Sequence, residues 1–369
     1  MLMSGTHAVE RTIKKASTTR VAMVTWGNIR EELKLETLNE ELLRHFESEC
    51  SHANTRLDIY GYYFKFDKLE WENLAVGACE LEDSEDILGY VFPVVTPEVN
   101  PEVILKKLVN FNKPIAILDL IGGWLLPPEL QKPNVRVFSM AVSTHPGKQV
   151  GEFLLDLGHT EIAYISPFHH AAWSRNRFEG LNEAYAQAGH EGAVKTFTFD
   201  KPPIIHSVYH DDVHASCDIG ALTRFYSSWK RKIPQFIKKE LDPYFEFHIP
   251  ERVLTKAALG NRLATLFVQA LSNKDITAWV LANDDAALAA HSFLMEKKVG
   301  IGKQLSIIGF DDMYDTLRKS VTSFNFNVRA MASIMLEFIF HYNESDYQFK
   351  MTPVEVDGLI IERSSTCRI

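Results

Sequence analysis

The sequence has little cysteine: Cys50, Cys79, Cys217 and Cys367 stand far apart in 369 residues, with no C-x-x-C spacing among them. That pattern argues against a disulfide framework or a zinc ribbon and fits a reducing compartment. Long apolar runs are missing as well. None approaches the roughly 18 residues of a membrane span, and Met1 to Arg20 lacks the apolar core of a secretory leader. A cytoplasmic protein with no membrane contact is therefore expected. Positive charge is in deficit, with Lys+Arg at 39 against Asp+Glu at 48 and a formal net charge of -9. Such a chain has no global attraction for phosphate backbones, so any nucleic-acid role needs a local basic element. No G-x-S-x-G elbow, P-loop or H-E-x-x-H is present, and Gly122-Gly123-Trp124 runs into Pro127-Pro128 rather than opening a helix. The expectation is a protein that is not an enzyme, with no catalytic residues and no cofactor.

What is present suits a folded chain of about two domains, since hydrophobic residues make up 46% and charged residues 24%. Short aliphatic runs alternate with longer segments of helical period, the pattern of an α/β fold with mostly parallel sheets. Strand candidates include Val21–Val24, Leu57–Tyr60, Leu88–Phe92, Pro114–Leu118, Val135–Phe138, Ile162–Ile165, Ala278–Leu281 and Leu305–Gly309. Helical candidates lie at Glu31–Cys50, Pro101–Phe111, Gly147–Leu157, Arg175–Ala188, Leu259–Leu271, Asp285–Lys298 and Arg329–Tyr342. The alternation breaks at about 202–250, where aromatics, His and Lys mix with five prolines, which reads as an insertion. Tyr60–Asp86 reads as an extended connection. Within the insertion His206, His210 and His214 fall at i, i+4, i+8, a spacing that aligns imidazoles on a helix face; with Pro202-Pro203 beside them they read as a surface or interface segment, and no metal site is expected.

Four motifs follow in order: L-D-L-G-H-T-E-I-A-Y-I from Leu155; Ser174-x-x-Arg177-x-x-Gly180-Leu181; Leu281-Ala282-Asn283-Asp284-x-Ala286-Ala287-Leu288; and Leu305-Ser306-Ile307-Ile308-Gly309-Phe310-Asp311-Asp312. This succession resembles the effector-binding domain of the lactose-repressor/galactose-repressor family of bacterial transcription regulators. The resemblance covers about residues 20–363 without the insertion. It implies two doubly wound α/β lobes with parallel sheets, like those of periplasmic sugar-binding proteins, joined by three crossings with ligand held between them. The expected parts are a tail at 1–19, a first lobe at 20–161 plus 325–345, and a second at 162–324 plus 346–369.

By the same resemblance Arg177 matches an arginine that grips ligand hydroxyls or carboxylates, and Asn283 and Asp311 match a cleft amide and carboxylate. Their chemistry agrees, since a guanidinium fork, an amide and a carboxylate together serve vicinal hydroxyls. Taken alone, Arg177 would be a surface arginine and Asn283 or Asp311 a cap. Asp284 is assigned to capping. Trp26, Trp173 and Asp119 complete the candidate ligand-binding set, the tryptophans as stacking faces or packed edge residues, Asp119 as rim or ligand contact. His169-His170 stands at the expected cleft mouth and reads as a solvated turn or a contact. One polar anchor usual in the family is absent from Ser139–Thr144.

The implied function is a ligand-sensing domain that binds a sugar or related metabolite and switches a homodimer. The alternative is a stand-alone or transport-type sugar-binding protein without DNA binding. Helix-turn-helix spacing is absent before Val21, so DNA contact is expected only through a part not seen in this chain. Ser4–Ala8 is faintly similar to the end of a winged-helix wing, with Arg11, Lys14 and Lys15 following, or is simply a tail.

Overall fold

A computed structural model of the chain describes residues 19–26, 38–65, 70–74, 83–94, 102–119, 125–140, 143–199, 263–344, 354 and 356–369. The tail, the insertion at 202–250 with its three histidines, and Cys79 and Cys217 lie outside the described residues.

Two six-stranded sheets carry the fold. The first holds β1 (Arg20–Trp26), β2 (Arg56–Lys65), β3 (Glu70–Leu74), β4 (Ile87–Val94), β5 (Ile115–Asp119) and β6 (Val135–Ser139), in the order β3-β2-β1-β4-β5-β6. The second holds β7 (Ile162–Ser166), β8 (Val194–Thr198), β9 (Ala278–Leu281), β10 (Ser306–Phe310), β11 (Thr322–Asn325) and β12 (Leu359–Ile361), in the order β12-β11-β10-β9-β7-β8. All pairings are parallel except two at the edges, β2 with β3 and β11 with β12.

Helices cover both faces of each sheet, which explains why the central strands read as unbroken apolar runs. Along β1, Val21 and Met23 face one side with Leu42 and Phe46 of α1 (Leu38–His52), while Ala22 and Val24 face the other with Leu105 and Leu108 of α2 (Glu102–Val109). In the second sheet Ile162 and Tyr164 share a cluster with Leu181 and Tyr185. Ala163 and Ile165 instead face Leu266 and Phe267, in a helix at 263–272 that we call α5. The first cluster is continuous from β1 through Phe138 and Phe338 to Phe310 and Phe324, so the two sheets share apolar packing.

The chain crosses between the sheets three times. The first crossing follows β6 and leads into α3 (His145–Asp156), which packs on α4 (Ala172–Gln187). Gly147 and Gly180 permit that contact: a Cβ on Gly180 would lie 1.9 Å from the Thr144 carbonyl oxygen, and one on Gly147 2.0 Å from that of Arg177. α3 thus packs against α4 of the second sheet, although it falls within the 20–161 stretch expected for the first lobe. After β9 come α6 (Asp284–Glu296), β10 and the short α7 (Tyr314–Arg318). The second crossing runs from β11 through Asn325–Asn327 into α8 (Val328–His341), which packs on α1, β4 and β5. The third begins where Val354 pairs in parallel with Phe138 and ends in β12. Within 60–86, where an extended strand connection was expected, β2 runs on to Lys65 and pairs with β3. Among the described residues no helix is long and apolar enough to cross a membrane.

Candidate functional site

In an open parallel sheet, ligands gather at the carboxyl ends of strands where the winding reverses direction. In the second sheet that point lies between β7 and β9, since β8 stands on one side of β7 and β9 on the other. Polar residues of the last three motifs, Arg177, Asn283 and Asp311, lie there.

Arg177 sits on the first turns of α4, after β7, and is 7% exposed. Its Nη1 donates to the carbonyl oxygen of Ala282, the residue that follows β9. Nη2 lies 3.5 Å from Asp311 Oδ1, after β10. Three rings surround the guanidinium carbon, with centroids at 4.6 Å for Trp173, 4.6 Å for Phe310 and 4.8 Å for Phe326. Burial pulls the Arg177 pKa down from its usual value, opposed by Asp311. Burial likewise pushes the Asp311 carboxyl up, to about 6, with Arg177 pulling the other way.

The β7–α4 turn beneath this arginine is set by buried hydroxyls. Tyr164 donates to the Ser174 carbonyl at 2.8 Å and shares a hydrogen bond with its hydroxyl, which in turn pairs with Ser166 at 2.7 Å. Ser166 also accepts from the Phe168 amide at 3.1 Å. His169 packs edge-on against Tyr164 and Phe178.

Asp284 differs from the capping role assigned from sequence, while Asn283 takes the capping position that was its alternative reading. Asn283 is the N-cap of α6, accepting from the Ala286 amide at 3.0 Å. Asp284 is not the cap. It is fully buried and accepts from Ser323 Oγ at 2.7 Å, the Met313 amide at 2.8 Å and Thr316 Oγ1 at 3.4 Å. Burial, with Asp311 nearby, raises its pKa well above the ordinary carboxylate range. Gly309 leaves the room for it, since a Cβ there would fall 2.2 Å from Asp284 Oδ1.

Asp311 and Asp312 form one turn, with φ of 109° and 52°. Their carboxylates serve different neighbours. Asp311 meets Arg177, whereas Asp312 accepts from Asn325 Nδ2 at 2.8 Å and pairs with Arg363 Nη2 at 2.5 Å. Asn325 Oδ1 then accepts from the Asn327 amide at 2.6 Å, and Asn327 caps α8 of the first lobe. The turn thus spans from the cleft arginine to the second crossing.

Of the six candidates, Arg177, Trp173 and Asp311 form one cluster, with Asn283 next to Ala282 in the same loop region. Asp119 ends β5 at the carboxyl edge of the first sheet and is 1% exposed. Trp26 ends β1 at that same edge; its side chain lies outside the described residues. Sequence reasoning missed Phe310 and Phe326 as neighbours of the arginine. The signal was available: Phe310 directly precedes the aspartate of G-F-D-D, and Phe326 alternates with Phe324 at strand period.

Two mostly parallel sheets joined by three crossings define a periplasmic-binding-protein-like fold. A family model described as a periplasmic binding protein-like domain matches residues 242–366. The chain is similar to the crystal structure of a LacI family regulator from Enterococcus faecium with bound ribose: 14% identity, 94% of this chain and 99% of that one covered, TM-score 0.55. It is also similar to a LacI regulator from a Rhodococcus species, at 12% identity, 95% and 98% coverage and TM-score 0.56. The Escherichia coli repressor ascG is similar at 16% identity, 95% and 100% coverage and TM-score 0.54. At such identities the likeness is one of fold, and it agrees with the resemblance carried by the four motifs. No curated protein sequence matches the chain.

Proposed function

We propose that this chain is the ligand-sensing part of a transcription regulator, which binds an uncharged, polyhydroxylated metabolite such as a sugar between its lobes. The observation that carries the reading is the Arg177–Asp311 pair at the switch point of the second sheet. A guanidinium donor beside a carboxylate acceptor suits vicinal hydroxyls, one accepting and one donating. The surroundings disfavour an anion: Asp285, Asp311 and Asp312 lie in this region against the cations Arg177 and Arg363. Asn283, Trp173, Asp119 and Trp26 complete the proposed cleft, the last two from the first lobe. The resemblance suggests the output, a change in lobe closure that alters the geometry of a homodimer, with DNA contacted outside the effector fold. Closure responds only as far as the ligand prefers one lobe arrangement. No chemical step belongs to this reading.

The test is a thermal-shift screen of the purified chain against pentoses, hexoses, sugar acids, sugar phosphates and nucleosides. A ligand at about 100 times its Kd stabilises the native state by roughly 2.7 kcal/mol. The expected result is a hit among neutral sugars that disappears in Arg177→Lys, which keeps the charge and loses the fork. A hit confined to sugar acids or phosphates overturns the charge argument, and silence across the panel overturns the sugar reading.

A further inference from the structure

The surroundings of Arg177 specify how it meets a ligand. A guanidinium group has two flat faces and an N–H edge. Here three rings from three separate elements stand within 4.8 Å of its central carbon: Trp173 on α4, Phe310 at the end of β10 and Phe326 in the second crossing. Trp173 and Arg177 are four residues apart on α4 and so share one face of it. Phe310 and Phe326 are buried, and Trp173 packs in turn against Phe168 at 5.8 Å. With three rings packed around the guanidinium carbon, little of the group is open to a flat ligand, and what it can offer is its remaining N–H groups. The N–H edge is incompletely used. Nη1 is committed to Ala282, while Asp311 at 3.5 Å from Nη2 is well beyond the about 2.8 Å of a charge-assisted hydrogen bond.

We propose that Trp173, Phe310 and Phe326 are positioning residues that fix the plane of Arg177, so that the site selects a ligand presenting a hydroxyl or carbonyl oxygen in that plane. This inference rests on the reading of the cleft as a ligand site. Trp173 then acts through the arginine and not as a stacking platform for a sugar face. The same cage denies an aromatic ligand the guanidinium face it would need for stacking.

The cage is tested on the full chain without ligand, by NMR of the arginine Nε–Hε groups. Arg177, assigned by the loss of its signal in Arg177→Lys, is expected upfield of the exposed arginines because of the rings, and rigid. In Trp173→Leu the signal moves toward the exposed group and becomes mobile, while Trp173→Phe, which keeps a ring, retains most of the shift. A wild-type signal already among the exposed arginines, or one unmoved in both variants, overturns the cage. Should the leucine variant fail to fold, the graded shift in the phenylalanine variant decides.

The ligand half is tested by calorimetry with D-ribose and 2-deoxy-D-ribose, which differ in one hydroxyl. Wild type is expected to prefer ribose by about tenfold or more, as a hydrogen bond to a charged group implies, and Trp173→Leu to lose that preference. An equal loss of affinity for both sugars makes Trp173 a stacking contact and overturns its positioning role. Silence with both sugars removes the edge-selection claim for pentoses, and the NMR signal still decides the cage.

Discussion

The two sheets are wound alike, yet they keep their buried arginines at opposite ends. In the first lobe the charged cluster sits where β1 begins. Arg20 Nε lies 2.7 Å from Asp86 Oδ2, its Nη2 3.0 Å from Asp86 Oδ1, and its Nη1 3.0 Å from Asp58 Oδ2 and 3.1 Å from the Tyr60 hydroxyl. In the second lobe the cluster sits where the strands end, and Arg177 stands 3.5 Å from its carboxylate among three rings. A fully hydrogen-bonded arginine at an amino edge ties strands together and has nothing left to offer. One held by rings, with a loose ionic partner, keeps donors for something else. Distance and satisfaction separate the two, where the residue type does not.

The largest expected effect comes from removing each arginine in turn. Arg20→Met strands two carboxylates at the start of the first sheet. It is expected to cost on the order of 2–3 kcal/mol in urea unfolding, below the value for fully buried pairs because Asp58 and Asp86 regain water. Arg177→Met is expected to cost clearly less, since a thioether fills the aromatic cage and Asp311 already leans toward its neutral form. Equal costs would break the comparison.

A smaller effect lies in the pH dependence, where the two lobes have opposite signs. The Arg20 guanidinium holds Asp86 down at about 2, so the native state binds fewer protons than the unfolded chain between there and the ordinary 3.8. That stabilisation is present above the window and is lost as pH falls through it. Asp311, pushed up to about 6, binds more protons when folded between 3.8 and 6, so its contribution declines as pH rises through that range. Urea midpoints measured against pH should show the upper limb flatten in Asp311→Asn and the lower limb in Asp86→Asn.

The smallest expected effect sharpens the role of Asn283. Asn283→Ala removes the cap of α6 and costs about 1 kcal/mol, whereas Asn283→Ser keeps a capping oxygen and costs little. Because the serine lacks the amide, a loss of ligand response in that variant at near-normal stability would show that the amide itself reaches the ligand.

Much of this fold was legible because its central strands are buried on both faces and read as apolar runs. The strands missed carry little apolar signal, among them β11, whose Thr322 and Ser323 are buried yet polar. β8, with Lys195 and Thr196 exposed, and β12, with Leu359 exposed, carry too little apolar signal to stand out. β3 was hidden for another reason: Glu70-Trp71-Glu72-Asn73-Leu74 does not read as a buried run. The packing of α3 on α4 was not legible either, because the two glycines that let them approach are unremarkable in sequence. In the site, the motifs led to Arg177 and Asp311. The cage escaped notice because Phe310 and Phe326 look like any core residue at strand period. Which of Asn283 and Asp284 caps α6 could not be read from their order, since either residue type caps a helix. Only the space left by Gly309 makes the interior position available to the aspartate.

The turn at Asp311 and Asp312 has a consequence for how such a molecule can diversify. Its two adjacent carboxylates serve two masters one peptide bond apart, and both residues hold left-handed backbone. A change that adapts the first to a new metabolite also displaces the second from Asn325 and Arg363. In this chain a shift of taste and a shift in the stiffness of the joint are therefore inherited together.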